Sequence, residues 1–280
     1  MGLDVCQTML RSGVLDKSTR VFPTPYSSWV MLNQHRKPLM DLPSIKVACS
    51  SCNLRELCLP MGLKAEEMHK LDAVVSSRRR IKRGEALFSA GERFSALFAV
   101  RSGFFKTRIT TPDGRDQVTG FQMTGEIIGL DGIVSDHHSC DAIALEDAEV
   151  CVMPFDQVEE LSREFTTLQH HVHKIMSREI VREHGRVLML CNLTAEQRLA
   201  SFLVGLSRRF VSRGYSAHGF VLRMSREDMA SYLGLRLETV CRSVARLRVL
   251  GIVDLHGRLV EILDMPALMA LEQGGGECEV

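Results

Sequence analysis

The middle of the chain alternates short apolar runs with glycines. Between residues 80 and 154 the β-prone runs are 96–100, 104–109, 117–121 and 149–153. The segment Pro112-Asp113-Gly114 is typical of a tight turn, because proline presets φ and glycine accepts a positive φ. Short strands at this spacing predict an antiparallel barrel or roll.

Helical periodicity lies on either side of the predicted roll. The pattern predicts a short helix over 64–75 and one long helical stretch over 155–191. Within the long stretch a heptad-like seam recurs at a 4-3-4-3 spacing, formed by Met176, Ile180, Glu183, Val187 and Leu190. This spacing indicates either the seam of a coiled-coil dimer or an amphipathic helix that packs on its own domain.

The last third of the chain predicts a helix-turn-helix followed by a hairpin. Ser225 suits a helix N-cap, Gly234 ends that helix, and a second helix follows over 237–250. The second helix has Leu237, Val240, Val244 and Leu247 on one face and Glu238, Cys241, Arg242 and Ala245 on the other. Two β runs around His256-Gly257 form the hairpin, or wing. We predict a DNA-binding motif that includes Ser225, Arg226, Gly234 and Thr239.

The distribution of charge supports this interpretation. The whole chain has a net charge of +1, so a nucleic-acid footprint has to be local. Residues 194–264 carry eleven arginines and no lysine against seven acidic residues. Near the start of the second helix, Glu238 can accept from cytosine N4 and Arg242 can bridge guanine O6 and N7, with Cys241 between them.

Nine cysteines are the most informative feature of the composition. Cys49, Cys52 and Cys58 lie within ten residues of one another, a spacing that lets sulfurs converge on a metal or a cluster. A fourth ligand would have to come from Cys140, Cys151 or Cys191. Zinc and an iron–sulfur cluster are both compatible with this spacing, and so is a chance group of reduced thiols.

The remaining features exclude several classes of protein. The composition is 45% hydrophobic and 25% charged, as in ordinary globular proteins. The sequence predicts no membrane helix and no export signal, and the odd number of cysteines argues against a disulfide framework, so we expect a cytoplasmic protein. We interpret the basic run 78–83 as a solvated face and His137-His138 as part of a surface loop.

The order of these parts resembles the oxygen-sensing FNR branch of the CRP–FNR transcription factor superfamily. The resemblance covers roughly residues 46–265 and is carried by five stretches, 49–60, 116–129, 149–154, 206–210 and 232–242. It implies an α+β fold with a β-roll sensor domain like those that bind cyclic nucleotides, a long dimerisation helix and a C-terminal winged helix-turn-helix. The expected segments are a poorly ordered leader over 1–45, the cysteine loop and roll over 46–165, the dimerisation helix over 166–193, the DNA-binding domain over 194–265 and a flexible tail over 266–280.

The resemblance also implies a function. It implies a [4Fe-4S] cluster held by Cys49, Cys52, Cys58 and Cys151, and it selects Cys151 because that residue lies in the Val-Cys-x-x-Pro context of the family. Leu57 would belong to an apolar shield that slows the access of oxygen. The protein would be a transcription regulator and not an enzyme, a homodimer on a palindromic TTGAT-type DNA site, with RNA polymerase as a further partner.

The dimer helix and the reading helix carry the departures from the family. In a parallel dimer the two Glu183 side chains would face each other, and our hypothesis is that their repulsion keeps the cluster-free dimer marginal. The family often has Asp at that position. Cys241 replaces the serine of the family's reading helix, which leaves the base opposite it open.

Three other classes of protein stay as alternatives. A cyclic-nucleotide regulator on the same fold would use Gly125-Glu126 for the ribose, but His138-Ser139-Cys140 lacks the arginine of that branch. A winged-helix regulator with a structural zinc site, or with another small-molecule signal, is the second. A redox enzyme is the third, although it leaves the winged helix unexplained.

Overall fold

The computed structural model describes residues 49–54, 57–59, 62–75, 77–111 and 113–273. The predicted leader over 1–45 lies outside the described residues, and so does 274–280 of the predicted tail. A short 3₁₀ helix over Cys49–Ser51 comes first. Seven α-helices follow within the described residues, α1 Ala65–Val74, α2 Phe155–Glu164, α3 Thr166–Asn192, α4 Ala195–Val211, α5 Arg226–Leu233, α6 Leu237–Val249 and α7 Met265–Glu272.

The strands form the predicted roll and the predicted wing. The roll contains β1 Ser77–Ile81, β2 Ala86–Phe88, β3 Ala96–Ser102, β4 Phe104–Thr110, β5 Asp116–Met123, β6 Ile127–Ile128, β7 Asp141–Ala144 and β8 Ala148–Pro154. Two four-stranded sheets result, ordered β1-β8-β3-β6 and β2-β7-β4-β5. The wing adds β9 Gly219–Val221, β10 Val253–His256 and β11 Leu259–Ile262, ordered β10-β11-β9. The predicted roll and wing hairpin are confirmed, whereas β9 was not predicted.

Close packing at one turn explains one of the glycines in the roll. Gly103 joins β3 to β4 with φ +92°, and a Cβ built on it would lie 2.5 Å from the Cβ of Ala148. Any side chain would therefore collide with β8 as well as strain the backbone. The turn holds β3, β4 and β8 together beside Cys151.

The long helical stretch predicted over 155–191 is two helices. Residue Phe165 takes extended angles, with φ −117° and ψ 107°, and separates α2 from α3. Its half-buried ring belongs to the same hydrophobic cluster as the buried Leu161 and Leu168 on either side of it. The hydrophobic periodicity continues through the break, which is why the sequence pattern did not reveal it.

Helix α3 carries the predicted seam, and its residues differ in exposure. Met176, Ile180 and Val187 are exposed, and so are Val181 and Leu188, which the seam did not include. Glu183 and Leu190 are half-buried against their own chain. Glu183 Oε2 accepts from Arg186 Nε at 3.0 Å, and Leu190 packs on the core of the winged helix.

The winged helix-turn-helix forms as the sequence predicts, with one extension. Ser225 caps α5, because its side chain accepts a hydrogen bond from the Asp228 N–H, and Gly234 ends that helix with φ +61°. Helix α7 corrects the predicted flexible tail, because Met265–Glu272 is helical and Leu268 is fully buried. Asp264 caps α7, since its Oδ1 accepts from the Ala267 N–H at 2.9 Å. At the end of α7, Glu272 Oε1 accepts from Ser201 Oγ of α4 at 3.1 Å.

Direct hydrogen bonds join the winged helix-turn-helix to the roll. Strand β5 lies at the edge of its sheet, and its Val118 N–H donates to Ser231 Oγ of α5 at 2.8 Å. Lys106 of β4 forms an ion pair with Asp228 of α5. In the part of the chain that the structure describes, no helix has the length and apolar character needed to cross a bilayer.

Candidate functional site: a cysteine cavity and a DNA-reading face

Four cysteines line one small cavity. The 3₁₀ helix contributes Cys49, the loop after it contributes Cys52 and Cys58, and strand β8 contributes Cys151. The cavity has a volume of about 30 Å³ and is otherwise almost entirely apolar, lined by Leu54, Leu59, Leu71, Val75, Ala99, Val100 and Met153, with Arg101 at its edge. The structure therefore brings together the four thiols that the resemblance selected.

The other two candidates for the fourth ligand lie elsewhere. Cys140 is buried in the roll, where its Sγ donates to Asp131 Oδ2 at 3.5 Å. Cys191 is exposed near the end of α3. Neither cysteine lines the cavity.

The environment of the cavity disfavours thiolates without a compensating cation. Burial raises the pKa of the Cys49 thiol to about 12, and the neighbouring Cys58, Cys151 and Asp72 contribute to the same shift. Burial likewise raises the pKa of Cys58 to about 12. Because a metal site needs thiolates, positive charge at the centre of the cavity would have to offset these costs, and binding would release protons.

Two arginines adjoin the cavity, Arg78 and Arg101. Arg78 departs from the solvated face expected over 78–83, whereas Arg80, Lys82 and Arg83 are exposed as expected. Antiparallel pairing places Arg78 of β1 directly opposite Cys151 of β8. Glu149 Oε1 lies 3.3 Å from Arg78 Nε and 3.4 Å from Arg101 Nε. Arg101 Nη1 is 3.7 Å from Cys52 Sγ. Both guanidinium groups lower the pKa of Cys151, which burial raises, so the cavity has a built-in source of positive charge.

The cysteine loop is attached to α1 and to the long helix. The Cys49 N–H donates to Asp72 Oδ1 of α1, and Ser50 N–H donates to the same oxygen at 3.1 Å. Buried His171 of α3 hydrogen-bonds to the backbone of Cys58, and burial lowers the pKa of His171. Leu59 and Leu168 belong to one hydrophobic cluster with the cysteines. A change in the loop therefore acts directly on the start of α3.

Leu57 is not among the residues that line the cavity. It is half-buried and faces Gly125, where an added Cβ would lie 2.9 Å from Leu57 Cβ. The apolar lining consists of other leucines, notably Leu54, Leu59 and Leu71. The shielding role expected for Leu57 stays a prediction.

Four cysteines are a donor set that both one zinc ion and an iron–sulfur cluster can use. Four thiolates around a single zinc at about 2.3 Å lie within roughly 4 Å of one another. Among the described residues, no three side chains of His, Cys, Asp or Glu are close enough together to hold one metal ion. Cysteine thiolates are the ligands of iron–sulfur clusters, which attach each thiolate to a different iron.

Two residues that the cyclic-nucleotide alternative involves are engaged by other groups of the protein. His138 is buried, stacked on Phe88 with ring centres 3.5 Å apart, and its Nδ1 lies 3.4 Å from Asp131 Oδ1. This corrects the expectation of a surface loop for His138, whereas His137 is exposed. Glu126, the expected ribose contact, accepts from Arg209 Nη2 at 2.7 Å and Arg213 Nη2 at 2.9 Å.

The second helix of the helix-turn-helix presents an open polar face. Glu238, Cys241 and Arg242 are all exposed on α6. Arg242 Nη2 lies 3.5 Å from Thr239 Oγ1. Val240, Val244 and Leu247 are buried on the opposite face, as the periodicity predicted. The geometry leaves the three predicted base-reading side chains free to enter a groove of DNA.

Comparison with known protein families supports both halves of this arrangement. Residues 78–165 match the cyclic nucleotide-binding domain family, and residues 197–271 match the Crp-like helix-turn-helix domain family. A transcriptional activator protein, anr, of Pseudomonas aeruginosa is 43% identical over 231 residues, which are 82% of this chain and 94% of that protein. The chain belongs to the CRP/FNR family of transcription regulators.

Other members of the CRP/FNR family agree with this assignment. The fumarate and nitrate reduction regulatory protein of Salmonella typhimurium is 38% identical over 225 residues, covering 80% of this chain and 90% of that protein. The solved structure of FixK2 from Bradyrhizobium japonicum aligns with a TM-score of 0.65 at 26% identity, over 70% of this chain and 96% of that chain. As a CRP/FNR regulator of the FNR/Anr type, the chain is a DNA-binding protein of transcription control and not an enzyme.

Sequence reasoning missed several residues of the site. Arg78, Arg101 and Glu149 depend on strand register, and His171 depends on how α3 crosses the loop. No local motif indicates such contacts. The one available signal was the position of Glu149, two residues before Cys151 and on the same strand.

Proposed function

We propose that this protein is an oxygen-responsive transcription regulator that carries a [4Fe-4S] cluster on Cys49, Cys52, Cys58 and Cys151. The observation that carries the proposal is that three thiols close in sequence and the remote thiol of Cys151 line one apolar cavity. An apolar wall limits the access of water and of oxidants to such a group. The proposed role is the control of anaerobic genes from the cytoplasm.

The residues of this chain connect the proposed site to the dimer helix. A bound [4Fe-4S] cluster would supply the chemistry that reacts with oxygen. Asp72 holds the start of the loop, and His171 joins Cys58 to α3. A change in the ligand geometry would release these hydrogen bonds and disturb the hydrophobic cluster that includes Leu59 of the loop and Leu168 of α3. The first turns of α3 would then be less well supported.

DNA recognition would follow from the exposed face of α6. Glu238 and Arg242 are suited to the G·C pairs of a palindromic TTGAT-type half-site, and Cys241 is a weaker donor than serine. A homodimer would present two such helices to two half-sites. RNA polymerase is the further partner expected of a regulator that acts from this site.

The charge of Glu183 leads to a prediction about the stability of the dimer. Glu183 lies on the seam and forms an ion pair with Arg186 of its own chain. This ion pair reduces the repulsion between the two Glu183 side chains of a dimer but does not abolish it. We expect Glu183→Ala to strengthen dimerisation of the cluster-free protein by roughly 5- to 30-fold. Sedimentation equilibrium measures the dimer dissociation constant.

The matched variant for this test is Arg186→Gln. It removes the neutralising partner and should weaken the same dimer. If Glu183→Ala leaves the cluster-free protein as monomeric as the parent, the repulsion hypothesis is wrong.

The experiment that tests the proposed function is an anaerobic purification. Iron and acid-labile sulfide are assayed, and absorbance and binding to a palindromic TTGAT duplex are followed as air is admitted. We expect about four irons per chain, a visible absorbance band and DNA binding that all disappear together on aeration. Zinc, or no metal after reconstitution under anaerobic conditions, would contradict the proposal and leave a winged-helix regulator with another signal.

A further inference from the structure

Helix α3 begins with a group of histidines whose members differ in exposure. His170, His171 and His173 lie close together near its start. His171 is buried and hydrogen-bonds to the backbone of Cys58. His170 and His173 are exposed, and in the part of the chain that the structure describes neither imidazole has a hydrogen bond or an ion pair. Two unengaged imidazoles therefore lie on the outer side of α3.

The spacing of His170 and His173 suits a shared ligand. Side chains three residues apart are neighbours on one side of a helix, with Cβ atoms about 5–6 Å apart. Pairs of Glu and His at this same spacing hold metals inside helical bundles. Imidazole is a preferred ligand of zinc, copper and nickel ions. Each copy of α3 therefore presents two ligands for one such cation.

His173 also extends the dimer seam toward the N-terminus of α3. The seam alternates steps of four and three residues from Met176 to Leu190, so the next seam position before Met176 is His173. Met176 and Ile180, which follow it on the seam, are exposed as His173 is. In a parallel dimer that pairs along this seam, the two His173 side chains face each other. His170 lies one turn before His173, beside the same line.

One chain does not supply a complete site. Among the described residues, no three side chains of His, Cys, Asp or Glu are close enough together to hold a metal ion. Zinc takes four ligands in a tetrahedron, with Zn–N distances of about 2.0–2.1 Å. The axes of packed helices are about 8–10 Å apart, a distance that two imidazoles with a metal ion between them can span. The imidazoles of two chains therefore match the number of ligands that zinc needs.

We propose that His170 and His173 of two protomers form one zinc site at the N-terminal end of the dimer seam. The inference rests on the dimer of the proposed function and adds a metal-dependent input that does not use the cysteines. His171 lies between the two ligands and joins α3 to Cys58, so the site is at the end of α3 that the cysteine loop supports. Zinc bound there would hold the first turns of two α3 helices together without a cluster.

The test measures dimerisation of the cluster-free, full-length protein with and without Zn²⁺. The protein is first stripped of metal with EDTA, and sedimentation equilibrium gives the dimer dissociation constant. With free Zn²⁺ at ten times its dissociation constant for the dimer, the parent should dimerise about tenfold more tightly than without zinc. Zinc taken up by the four cysteines is common to the parent and to the histidine variants, so a difference between them reports on the proposed site alone.

Three variants of α3 assign the effect to the paired histidines. His173→Gln and His170→Gln should dimerise like the parent in EDTA and lose the tenfold increase with zinc. Equilibrium dialysis should show one zinc fewer per dimer in His173→Gln than in the parent. His184→Gln is the matched control, because His184 is exposed on the same helix and has no metal-binding side chain one turn away. It should keep the full increase with zinc.

The outcomes separate this inference from the proposed function. A zinc-dependent increase that is absent from the parent, that His173→Gln retains, or that His184→Gln also abolishes would overturn the inference. In each of these cases, a cluster-loaded parent that dimerises and binds the TTGAT duplex leaves the proposed function intact. A parent that stays monomeric both with zinc and with a reconstituted cluster would contradict the dimer of the proposed function, and the zinc site with it.

Discussion

The protein with Cys151→Ser is expected to bind almost no iron, falling from about four irons per chain to less than one. The serine hydroxyl matches the thiol in shape but stays neutral and binds iron poorly. Cys151 lies within β8, between Arg78 of β1 and Ala99 of β3, so the strand pairing should survive the change. Iron and sulfide assays after anaerobic reconstitution give the measurement, and binding to the TTGAT duplex should be abolished in parallel.

Cys140→Ser is the matched control for this prediction. Cys140 is also a buried cysteine of the roll, but it contacts Asp131 and does not line the cavity. A serine hydroxyl can donate to the same carboxylate, so we expect iron content and DNA binding like those of the parent. Loss of iron from Cys140→Ser with retention in Cys151→Ser would show that the fourth ligand had been assigned to the wrong strand. Circular dichroism confirms that both variants are folded.

Tertiary packing distinguishes cysteines that sequence spacing leaves equivalent. Cys49, Cys52 and Cys58 are close in sequence, so their grouping could be read directly from the chain. The fourth cysteine of the cavity could not, because the three other candidates are all remote from that group. Strand β8 brings Cys151 to the cavity, whereas Cys140 lies elsewhere in the roll.

The same limit explains the other errors. Local patterns predicted α5, α6 and the wing, since capping, a positive-φ glycine and periodicity are properties of short segments. The sequence predicts a solvated Arg78, because the charge of Arg78 is visible in the sequence and its pairing with Glu149 is not. The break between α2 and α3 at Phe165 was missed because the hydrophobic periodicity continues through it. Helix α7 was missed although its start carries local signals, the N-cap Asp264 and Pro266 in the first turn.

Glu126 is the residue whose removal should cost the most stability. Its carboxylate lies in the turn between β5 and β6, with its side chain only 14% exposed. It accepts from Arg209 of α4 and from Arg213 just after α4, and Arg182 of α3 lies 3.8 Å away. Arg209 and Arg213 also donate to carbonyls of the roll. One carboxylate thus interacts with three cations where the roll, the long helix and the DNA-binding domain meet.

We expect Glu126→Gln to lower the free energy of unfolding by about 3–5 kcal/mol, because it leaves buried guanidinium groups without their counter-charge. Urea unfolding at neutral pH measures the decrease. Arg182→Gln should cost less than about 1 kcal/mol, since Arg182 is the most exposed and most distant of the three cations. Glu159→Gln on the surface of α2 is the control for charge alone, with an expected change within about 0.5 kcal/mol.

The pH dependence of this effect follows from the direction of the pKa shift. Burial raises the pKa of the Glu126 carboxyl, but Arg209, Arg182 and Arg213 together lower it more, so its native pKa lies below the ordinary value. The stabilisation is therefore fully present above the unfolded-state pKa and is lost as the pH falls through the native pKa. The difference in urea midpoint between parent and Glu126→Gln should be constant near neutrality and should close below roughly pH 4. A difference that persists unchanged in acid would mean that the ionised carboxylate is not its source.

Glu126 also adjoins the cysteine loop, which gives the variant a functional consequence. Its neighbour Gly125 lies against Leu57, one residue before Cys58, so the loop, the turn and α4 are connected by direct contacts. Glu126→Gln should leave the iron content unchanged, because no group that lines the cavity is altered, and yet weaken DNA binding, because the ion pairs that help to hold α4 on the roll are lost. Iron content and duplex affinity measured on one preparation separate these two effects. A decrease in both together would place Glu126 in the support of the cysteine cavity itself and not in the contact between the roll and the DNA-binding domain.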